Sequence, residues 1–516
     1  MNPQEPVPNV GRSLLKRGAL AGLVIVLLAA GSVSAAGFLQ ADSIINTIEK
    51  EGRAPINIPE IDRAQAGEAQ TLMILGSDQR YGDKKLGLKP RSDTIILVRL
   101  DPDKEATAVM SVPRDLKVKI PGYGTDKINA AYATGGPRRT VATVKQLFKD
   151  AGDDLEINHV INVNFGGFRR AVNYVGGVYV DVDRRYYNDN TTARYGEAYA
   201  TIDVQPGYQK LKGQDALDYV RYRHGDNDLV RAARQQDFLR QAKNAAGVRR
   251  LLAGGLGEKR HLIQVFSRYF RVDESLRSNK QVLSLLKLAI YLSTKNPKVN
   301  EVKFRAHDAP NPQVDSNLYV NDGDLKTVFR EFMSPEGTAV QRKSPAKPAA
   351  ADSGTTKTRK KRRKPADTEI GGLEATRTEG ENMAVIADPK LKFPFYFPSV
   401  RVKGSTYVGT EPRIYTIKDE TGKKRQAYRM VLHAPGVGEY YGVQGLTWKA
   451  PPILDDPDRT VRRHGRKLRL YYDGRNLRLV AWKTKNAVYW ISNTLTQGIG
   501  EEQMLEIAGS LRKLKQ

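Results

Sequence analysis

Four clusters of arginine interleaved with a few carboxylates stand out in the first half of the chain. A guanidinium group is planar and permanently charged, and its fork of donors matches two phosphate oxygens at once. Several arginines that converge on one place would therefore suit a pyrophosphate. The clusters are Gly76-Ser77-Asp78-Gln79-Arg80, Arg91-Ser92-Asp93-Thr94, Val112-Pro113-Arg114-Asp115-Leu116, and Tyr219-Val220-Arg221-Tyr222-Arg223-His224 with the following Asp226, Asp228, Arg231, Arg234 and Gln235.

Carboxylates beside phosphate-binding arginines would repel the ligand unless they hold a cation or orient the arginines. Asp78 follows a predicted strand and Asp93 precedes the next one, so both could meet at one end of a sheet. Proteins bind Mg²⁺ through one or two carboxylates together with phosphate oxygens. Asp78 and Asp93 are therefore candidate ligands. The alternative is that both only cap turns through local backbone hydrogen bonds.

Periodicity groups the arginines of the fourth cluster. On an extended chain Arg221 and Arg223 would point to the same side, because side chains alternate with a period of two. In the predicted helix that follows, Arg231, Arg234 and Gln235 fall at i, i+3 and i+4 and share a face. The two elements would offer one arginine-lined surface. A solvated helix with surface ion pairs is the alternative.

Arg114 follows Pro113 in a predicted turn between two strands, which suits a ligand-binding arginine. Asp115 could orient that arginine or act as a general base. His224 is a second candidate base, although a lone histidine beside arginines is more often a structural hydrogen-bond partner. The sequence has no Gly-x-Ser-x-Gly, P-loop or histidine-rich metal motif, so serine hydrolases, nucleoside triphosphatases and zinc enzymes lack support.

The clusters lie where predicted elements end. Short apolar runs bounded by Gly, Pro or Asp predict strands at 72–75, 94–100, 106–112, 116–120, 160–163, 178–180 and 302–305. Helical patterns occur at 140–151, 168–175 and 325–332, and the stretch 212–292 is predicted to be nearly all helix. Strands interspersed with helices predict an α/β fold with a mixed central sheet covered by helices on both faces.

Length and charge limit the classes of function. A chain of 516 residues exceeds one ordinary domain and predicts two folded units. A formal net charge of +27, from 84 basic and 57 acidic residues, indicates a polyanionic partner such as nucleic acid, an acidic membrane face or an anionic polymer. The lack of cysteine excludes disulfides, zinc thiolate sites and thiol nucleophiles.

The N-terminal segment predicts where the chain resides. Arg12, Lys16 and Arg17 precede an uncharged apolar run at 19–39, about long enough to cross a ~30 Å hydrocarbon core. The basic flank favours a cytoplasmic N-terminus, with everything after residue 40 outside. A cleaved signal peptide is the alternative, because Val33-Ser34-Ala35 has the small residues of a cleavage site, but the run exceeds the ~7–15 residues of a signal core. A nucleic-acid partner would be unusual outside the membrane.

Composition divides the chain into six segments. They are a cytoplasmic N-terminus at 1–18, an anchor at 19–40, a stalk at 41–69, a first domain at 70–335, a linker at 336–380 and an accessory domain at 381–516. The linker is rich in Pro, Ala, Ser, Thr and Lys and contains the basic run 359–364, so it is predicted to be disordered. It would be attracted to anionic wall polymer or lipid, or have no specific partner. The accessory domain predicts an antiparallel sheet with one amphipathic helix at 501–511, and a binding or scaffolding role.

The motifs resemble those of a known family. Five segments match the LytR-CpsA-Psr family in order and spacing, over about residues 70–335 and the preceding anchor. They are Gly76-Ser77-Asp78, Arg91-Ser92-Asp93-Thr94, Ser111-Val112-Pro113-Arg114-Asp115, Lys127-Ile128-Asn129-Ala130-Ala131-Tyr132 and Tyr219-Val220-Arg221-Tyr222-Arg223-His224. The resemblance implies an extracytoplasmic phosphotransferase held in the bacterial cell membrane by a single span. It would move a glycopolymer from a polyprenyl-pyrophosphate carrier to a muramic-acid hydroxyl of peptidoglycan and release polyprenyl phosphate.

The same resemblance implies roles for individual residues. Asp78 and Asp93 would position Mg²⁺ or Mn²⁺. Pyrophosphate-binding residues are expected at Arg91, Arg114, Arg221, Arg223, Arg231 and Gln235. Catalytic residues are expected at Arg114, Asp115, Arg221, Arg223 and Arg231. Phosphoryl transfer depends mainly on positioning and on neutralising charge, which arginines and a cation provide without a protein nucleophile.

The expected partners are the carrier-linked glycopolymer, peptidoglycan and membrane lipid, and nucleic acid is not expected. The carrier's polyprenyl chain implies an apolar tunnel, although ordinary core packing would explain the same side chains. Candidate tunnel residues are Leu262, Phe266, Leu283, Leu286 and Ile290.

Three other functions would use the same features. A non-catalytic wall-binding protein would use the arginines only to hold acidic polymer. A polyprenyl-pyrophosphate hydrolase would use the same site with water as the acceptor. A membrane-tethered transcription regulator is disfavoured by the predicted topology.

Overall fold

The computed structural model describes two folded units. The described residues are 55–65, 67–78, 90–191, 200–222, 228–242, 270–277, 288, 299–311, 314–334, 371–436, 438–473 and 476–514. The predicted cytoplasmic segment and anchor at 1–40 and the basic run at 359–364 lie outside them. Within the described ranges, no helix is long and apolar enough to cross a membrane.

The first unit alternates strands and helices. Its strands are β1 (Gln70–Asp78), β2 (Arg91–Asp101), β3 (Ala106–Val112), β4 (Lys117–Ile120), β5 (Gly124–Lys127), β6 (His159–Val163), β7 (Val178–Val182), β8 (Tyr186–Asn188), β9 (Ile202–Val204), β10 (Gly207–Leu211), β11 (Phe270–Val272), β12 (Val299–Val302), β13 (His307–Asp308) and β14 (Leu318–Tyr319). Its helices are α1 (Ala130–Asp150), α2 (Phe165–Tyr174), α3 (Gly213–Arg221), α4 (Asp228–Ala242) and α5 (Asp322–Met333).

A mixed six-stranded sheet lies at the centre of the first unit, in the order β11-β6-β1-β2-β3-β12. β1 is antiparallel to β2 and parallel to β6, while β3 is antiparallel to β2 and parallel to β12. The mixed sheet predicted from the sequence is therefore confirmed.

Both faces of this sheet are buried. Successive side chains of a strand point to opposite faces, and every residue of β3 is buried. On one face Met73, Leu97 and Met110 pack in a core with Phe148 of α1 and Phe332 of α5. Helices α2 and α4 contact β1 and β3. The predicted covering of both faces by helices is confirmed.

A short strand and a 3-10 helix interrupt the stretch 212–292, which was predicted to be nearly all helix. α3 and α4 are followed by strand β11 and a 3-10 helix at Glu274–Arg277. β11 pairs with β6 at the edge of the sheet. Its sequence, Phe-Arg-Val, alternates apolar and charged residues as an edge strand does, but three residues are too few to outweigh the helical pattern around them.

Helix α1 begins at Ala130 rather than near residue 140, because Gly136, at φ 63°, kinks the helix without ending it.

The predicted stalk at 41–69 belongs to the first unit from residue 55 onward. Ile56 and Ile58 are buried in the core beneath the sheet. The N–H of Ile56 donates to the carbonyl of Val272 at 2.9 Å. Asp62 accepts from Lys145 Nζ at 2.7 Å. Its polar composition suggested a stalk, but Ile56 and Ile58, two residues apart, give the segment an apolar side that packs against the core of the first unit.

The second unit, here called the C-terminal module, comprises the described residues from 371 to 514. Its strands are β15 (Leu373–Ala375), β16 (Val400–Val402), β17 (Thr406–Tyr407), β18 (Arg413–Lys418), β19 (Lys424–His433), β20 (Tyr440–Leu446), β21 (Arg459–Arg463), β22 (Arg466–Asp473), β23 (Asn476–Lys483) and β24 (Val488–Ser492). Its helices are α6 (Arg377–Ala387) and α7 (Glu501–Ser510).

An antiparallel eight-stranded sheet forms the C-terminal module, in the order β17-β19-β20-β24-β23-β22-β21 with β18 beside β19. As predicted, α7 buries one apolar face, which includes Met504, Leu505 and Ile507. Helix α6 was not predicted, and the predicted boundary between 380 and 381 falls inside it. The module therefore includes at least ten residues that composition had assigned to the linker, because small and charged residues hide a short helix whose buried positions are Gly380, Met383, Ala384 and Ala387.

Candidate functional site

The strand ends that carry the predicted site residues lie side by side at one end of the central sheet, along the edge formed by these strand ends. Asp78, at the end of β1, pairs with Arg91 at the start of β2. The ends of β3 and β6, at Val112 and Val163, reach the same edge, because β3 is antiparallel to β2 and β6 is parallel to β1. The sheet thus brings together segments that are far apart in the sequence.

A β-bulge shapes the start of β2. Ser92 pairs with Ser77 and Thr94 pairs with Gly76, so Asp93 is the extra residue between them. The buried Ser92 hydroxyl donates to the Thr94 carbonyl at 2.9 Å. Bulges re-aim side chains and are frequent beside active sites. Asp93 therefore occupies a backbone position that breaks the normal alternation of the strand.

Thr94 links the sheet edge to helix α4. A Cβ atom at Gly76 would lie only 2.9 Å from the Cβ of Thr94, so the side chain of Thr94 fits because residue 76 is glycine. Gln235 Nε2 donates to Thr94 Oγ1 at 3.1 Å and to the Val220 carbonyl at 3.1 Å. This predicted pyrophosphate-binding residue therefore bridges β2, α3 and α4.

The predicted polar face of α4 is buried. Arg231 is 6% exposed, Arg234 0% and Gln235 7%. The alternative of a solvated helix is therefore wrong for these residues. Arg234 donates from Nη2 to the Tyr222 carbonyl, and its guanidinium lies 4.7 Å from the centroid of the Tyr186 ring. Arg234 thus fixes the helix against the chain that follows α3.

Arg221 is the last residue of α3, and a carboxylate of the same helix holds it. Its Nε and Nη2 lie 3.1 and 2.8 Å from Oδ1 of Asp218, and its guanidinium lies 5.4 Å from the Phe165 ring centroid. Burial raises the pKa of Asp218, although Arg221 opposes the shift. The predicted alternation of Arg221 and Arg223 on an extended chain is wrong, because α3 continues through Arg221.

Arg114 lies in the turn after β3, as predicted, and Asp115 lies between two cations. Asp115 Oδ2 is 3.3 Å from Arg114 Nε, and Oδ1 is 3.1 Å from Lys127 Nζ. The Arg114 carbonyl accepts from the N–H of Asn129 at 3.2 Å, and the Asp115 carbonyl accepts from the N–H of Leu318 at 2.9 Å. Of the two roles open for Asp115, these contacts favour orienting the cations over acting as a base.

Other predicted site residues have no described side chain. The backbones of Asp78, Arg91 and Asp93 lie in β1 and β2, while Arg223 and His224 lie outside the described residues altogether. Among the side chains that the structure describes, no group of three or more His, Asp or Glu could hold a metal ion. The candidate tunnel residues also lie outside the described ranges. They are Leu262, Phe266, Leu283, Leu286 and Ile290.

Three contributors to the site were not assigned a role from the sequence. Thr94 and Lys127 occur in the recognised motifs, but only the fold places Thr94 against α4 and Lys127 against Asp115. The contact of Asp218 with Arg221 could have been predicted from the sequence, because residues three apart in a helix lie on the same face. The other two contacts join elements that are distant in sequence and leave no periodic pattern.

Comparison with known proteins places the first unit in a family. The model of the LytR_cpsA_psr family matches residues 33–330. The polyisoprenyl-teichoic acid–peptidoglycan teichoic acid transferase TagT of Bacillus subtilis (strain 168) is 32% identical over 230 residues, covering 43% of this chain and 67% of TagT. The corresponding transferase TagU of Oceanobacillus iheyensis is 33% identical over 238 residues, with the same two coverages.

Solved structures align with about half of the chain. Bacillus subtilis TagV covers 53% of this chain and 98% of its own, with 24% identity and a TM-score of 0.41. YwtF (TagT) with bound octaprenyl pyrophosphate lipid covers 54% of this chain and 98% of its own, with 23% identity and a TM-score of 0.37. Because the family model spans more than half of the chain and two named relatives exceed 30% identity over two thirds of their length, the chain belongs to the LytR-CpsA-Psr family.

Proposed function

We propose that this protein is a membrane-anchored extracytoplasmic phosphotransferase. It transfers a glycopolymer from a polyprenyl-pyrophosphate carrier to a muramic-acid hydroxyl of peptidoglycan and releases polyprenyl phosphate. The observation that carries the proposal is the bridge from Gln235 to Thr94 and Val220, because it joins the helices of Arg221 and Arg231 to the sheet edge. The teichoic acid transferases among the relatives support this class of reaction.

The reaction is a displacement at phosphorus. The muramic-acid oxygen bonds to the phosphorus atom that carries the glycopolymer, and its proton passes to solvent or a base. The bond from that phosphorus to the bridging oxygen breaks, and the bridging oxygen leaves on polyprenyl phosphate. The product is a phosphodiester between glycopolymer and peptidoglycan. Charge gathers on the phosphoryl and leaving oxygens, which is where cationic groups accelerate such a step.

The arginines are oriented before the carrier binds. Asp115 holds Arg114 and Asp218 holds Arg221, each through a contact within its own turn or helix. Arg231 is buried in α4. Groups that are already positioned need little reorganisation during the reaction, and this preorganisation is the main source of their effect on rate.

A divalent cation, Mg²⁺ or Mn²⁺, would be held by Asp78 and Asp93. The register supports this pair, because Asp78 ends β1 beside the start of β2 and Asp93 is the bulged residue two positions along β2. Carboxylate oxygens are the preferred protein ligands of Mg²⁺. When bound, the cation would neutralise charge on the pyrophosphate.

The anchor proposed for this enzyme is the uncharged apolar run at 19–39, with the cytoplasm on its basic side. Anchoring would keep the site close to a carrier whose polyprenyl chain resides in the bilayer.

A transfer assay tests the proposal. The full-length chain in detergent is incubated with a polyprenyl-pyrophosphate-linked glycan, Mg²⁺ and peptidoglycan fragments, and polyprenyl phosphate and glycan–peptidoglycan conjugate are quantified. We expect equal amounts of both products. Arg231→Ala should lower both by at least about 100-fold. Arg305→Ala is the matched control, because it removes an exposed arginine paired with Glu331, and it should leave both rates unchanged.

Two outcomes would replace the proposal. Release of polyprenyl phosphate without conjugate would indicate a hydrolase. Carrier binding without turnover would indicate a non-catalytic wall-binding protein.

A further inference from the structure

The C-terminal module packs directly on the first unit, although the family model ends at residue 330. Tyr179 of β7 and Tyr208 of β10 share one apolar core with Trp448 and Trp490 of the module. Tyr208 meets Trp490 edge to face at 5.5 Å, and Tyr179 meets Trp448 at 5.1 Å. Edge-to-face pairs add stability beyond the burial of their area. The two units therefore share a packed aromatic core.

A buried carboxylate lies inside this contact. Asp181 of β7 accepts from Arg429 Nη1 at 3.2 Å and from Trp490 Nε1 at 2.9 Å. The side chains of Asp181 and Arg429 are 4% and 0% exposed. A buried charge without its partner is strongly unfavourable, so this pair permits one relative placement of the two surfaces and opposes sliding.

The backbone of β10 also fits the module closely. Gly207 has a φ of 103°, and a Cβ atom there would lie 2.6 Å from the hydroxyl of Tyr415. That hydroxyl donates to the Tyr208 carbonyl at 3.1 Å, and the Tyr208 N–H donates to Gln444 Oε1 at 3.2 Å. Main-chain groups of β10 are thus satisfied by side chains of the module.

The same contact reaches the helix that carries Arg231. The backbone N–H of Asp181 donates to Oε1 of Gln241, near the end of α4, at 3.1 Å. Arg240 Nη1 in the last turn of α4 lies 3.3 Å from Oδ2 of Asp473 in the module. The module therefore holds α4 both directly and through β7.

We propose that the C-terminal module is a positioning element of the candidate site. It binds β7, β10 and the last turn of α4, and so fixes the helix that presents Arg231 and Gln235. Asp181 and Asp473 are the positioning residues. The packing of the module on the first unit does not depend on the proposed function. The expected effect of the module on carrier binding does rest on that function.

Cleavage between the units tests the docking. A protease site is inserted between residues 340 and 350 of the full-length chain, and the cleaved protein is analysed by size-exclusion chromatography in detergent. We expect the two parts to elute together. Arg429→Glu, which places a second negative charge beside Asp181, should separate them. Glu506→Gln is the control, because the described partners of Glu506, Arg463 and His464, lie within the module. With this variant the parts should still elute together. Separation of the parts in the unsubstituted protein would overturn the proposal.

Hydrogen–deuterium exchange tests the positioning. In the intact full-length chain, Asp473→Ala removes the module's acceptor of Arg240 and leaves the pair of Arg240 with Asp237 inside α4. Amide exchange over 236–242 should rise at least about tenfold, as expected for the loss of a charge-assisted hydrogen bond. Asp473→Asn keeps an acceptor oxygen without the charge and should restore part of the protection. Exchange in β3 should not change in either variant. Arg240→Gln breaks the same contact from the helix side, together with the pair to Asp237, and gives a second test should Asp473→Ala unfold.

The carrier provides the functional readout. Asp473→Ala should raise the KM for the carrier more than it lowers kcat, and Asp473→Asn should reverse part of the change. Unchanged exchange over 236–242 in both Asp473→Ala and Arg240→Gln would overturn the positioning role. The exchange and co-elution experiments do not depend on enzyme turnover. If the protein behaves as expected in both but shows no transfer activity, the proposed function is refuted and the positioning role of the module is not.

Discussion

Two arginines of the candidate site and three of the C-terminal module differ in how far along the chain their partners lie. In the site, Arg114 contacts the adjacent Asp115, and Arg221 contacts Asp218 one helical turn earlier. Such pairs join no distant elements. They set the direction of a guanidinium without tying one part of the fold to another.

Three arginines of the module contact elements that are distant in sequence, whereas others in the module pair within six residues. Arg401 binds Glu374, 27 residues away, and Arg463 binds Glu506, 43 residues away. Arg466 donates to the carbonyl of a residue 42 positions away, at the end of α7. Each of these contacts ties two separate elements together.

For these five arginines, net charge does not distinguish the candidate site from the scaffold, whereas the distance along the chain to the partner does. When an arginine pairs with a carboxylate of its own turn or helix, we expect its replacement to change the fold little, because the ion pair joins no separate elements. A remote carboxylate makes the arginine part of the scaffold. Substitution of the site arginines should therefore lower activity, and substitution of these module arginines should lower stability.

The largest effect is expected at a remote pair that is fully buried. Arg429→Ala leaves Asp181 as a buried carboxylate, and breaking a buried pair costs about 3–5 kcal/mol. Urea unfolding of the full-length chain measures the loss. Replacing both partners with apolar residues, Asp181→Leu and Arg429→Met, should recover part of it. A loss below about 1 kcal/mol for Arg429→Ala would show that the two units do not share this contact.

Replacement of a site arginine should affect activity and not folding. Arg221→Lys keeps the charge but loses the planar fork that binds two oxygens, so transfer should fall at least about 100-fold with an unchanged midpoint of unfolding. Arg463→Lys in the module should leave transfer unchanged. Equal loss of activity in the two variants would remove the distinction between local and remote arginines.

Asp273 of the first unit has a partner that is far away in the sequence, and its replacement should lower stability in a way that depends on pH. Asp273 accepts from the N–H groups of Val160 and Ser275 at 2.8 and 3.0 Å. Burial raises its pKa, but hydrogen bonds and the charge of His159 outweigh this and lower the pKa overall. The stabilisation is therefore present above the ordinary aspartate pKa of about 3.9 and is lost as the pH falls through the lowered value.

Asp273→Asn should accordingly destabilise the protein by about 1–3 kcal/mol at neutral pH. The difference from the unsubstituted protein should shrink below about pH 4. Urea unfolding at several pH values measures it. A difference that grows on acidification would contradict the assignment.

The smallest effect is expected at an exposed remote pair. Arg459 and Glu501 lie 2.7 Å apart with side chains 55% and 35% exposed. Surface pairs contribute about 0–1 kcal/mol and are screened by salt. Arg459→Ala should lower the free energy of unfolding by less than about 1 kcal/mol, and high salt should remove the difference. A larger, salt-independent loss would show that exposure does not set the strength of these pairs.

Periodic features of the fold were predictable from sequence. β3 was predicted with its observed bounds, because seven apolar or small residues lie between turn residues. The shared face of Arg231 and Gln235 follows from helical spacing alone. The placement of Asp78 and Asp93 at one end of the sheet follows from two strands joined in sequence.

Features that depend on contacts between distant segments were not predictable. Lys127 reaches Asp115 only through the β4–β5 hairpin, and Asp181 meets Arg429 across 248 residues. Arg221 was predicted on an extended chain because the two arginines alternate, but the longer helical pattern of α3 decides its conformation. A short alternation of residues does not determine the local conformation when a neighbouring helix continues through it.

Binding of the carrier headgroup tests the central claim most directly. A short-chain prenyl pyrophosphate and the matching prenyl monophosphate are titrated calorimetrically into the full-length chain with Mg²⁺. We expect the pyrophosphate to bind at least about tenfold more tightly, an advantage that Arg231→Ala abolishes and Arg463→Ala retains. Equal affinity for the two ligands, or an advantage that survives Arg231→Ala, would contradict a pyrophosphate site at this edge of the sheet.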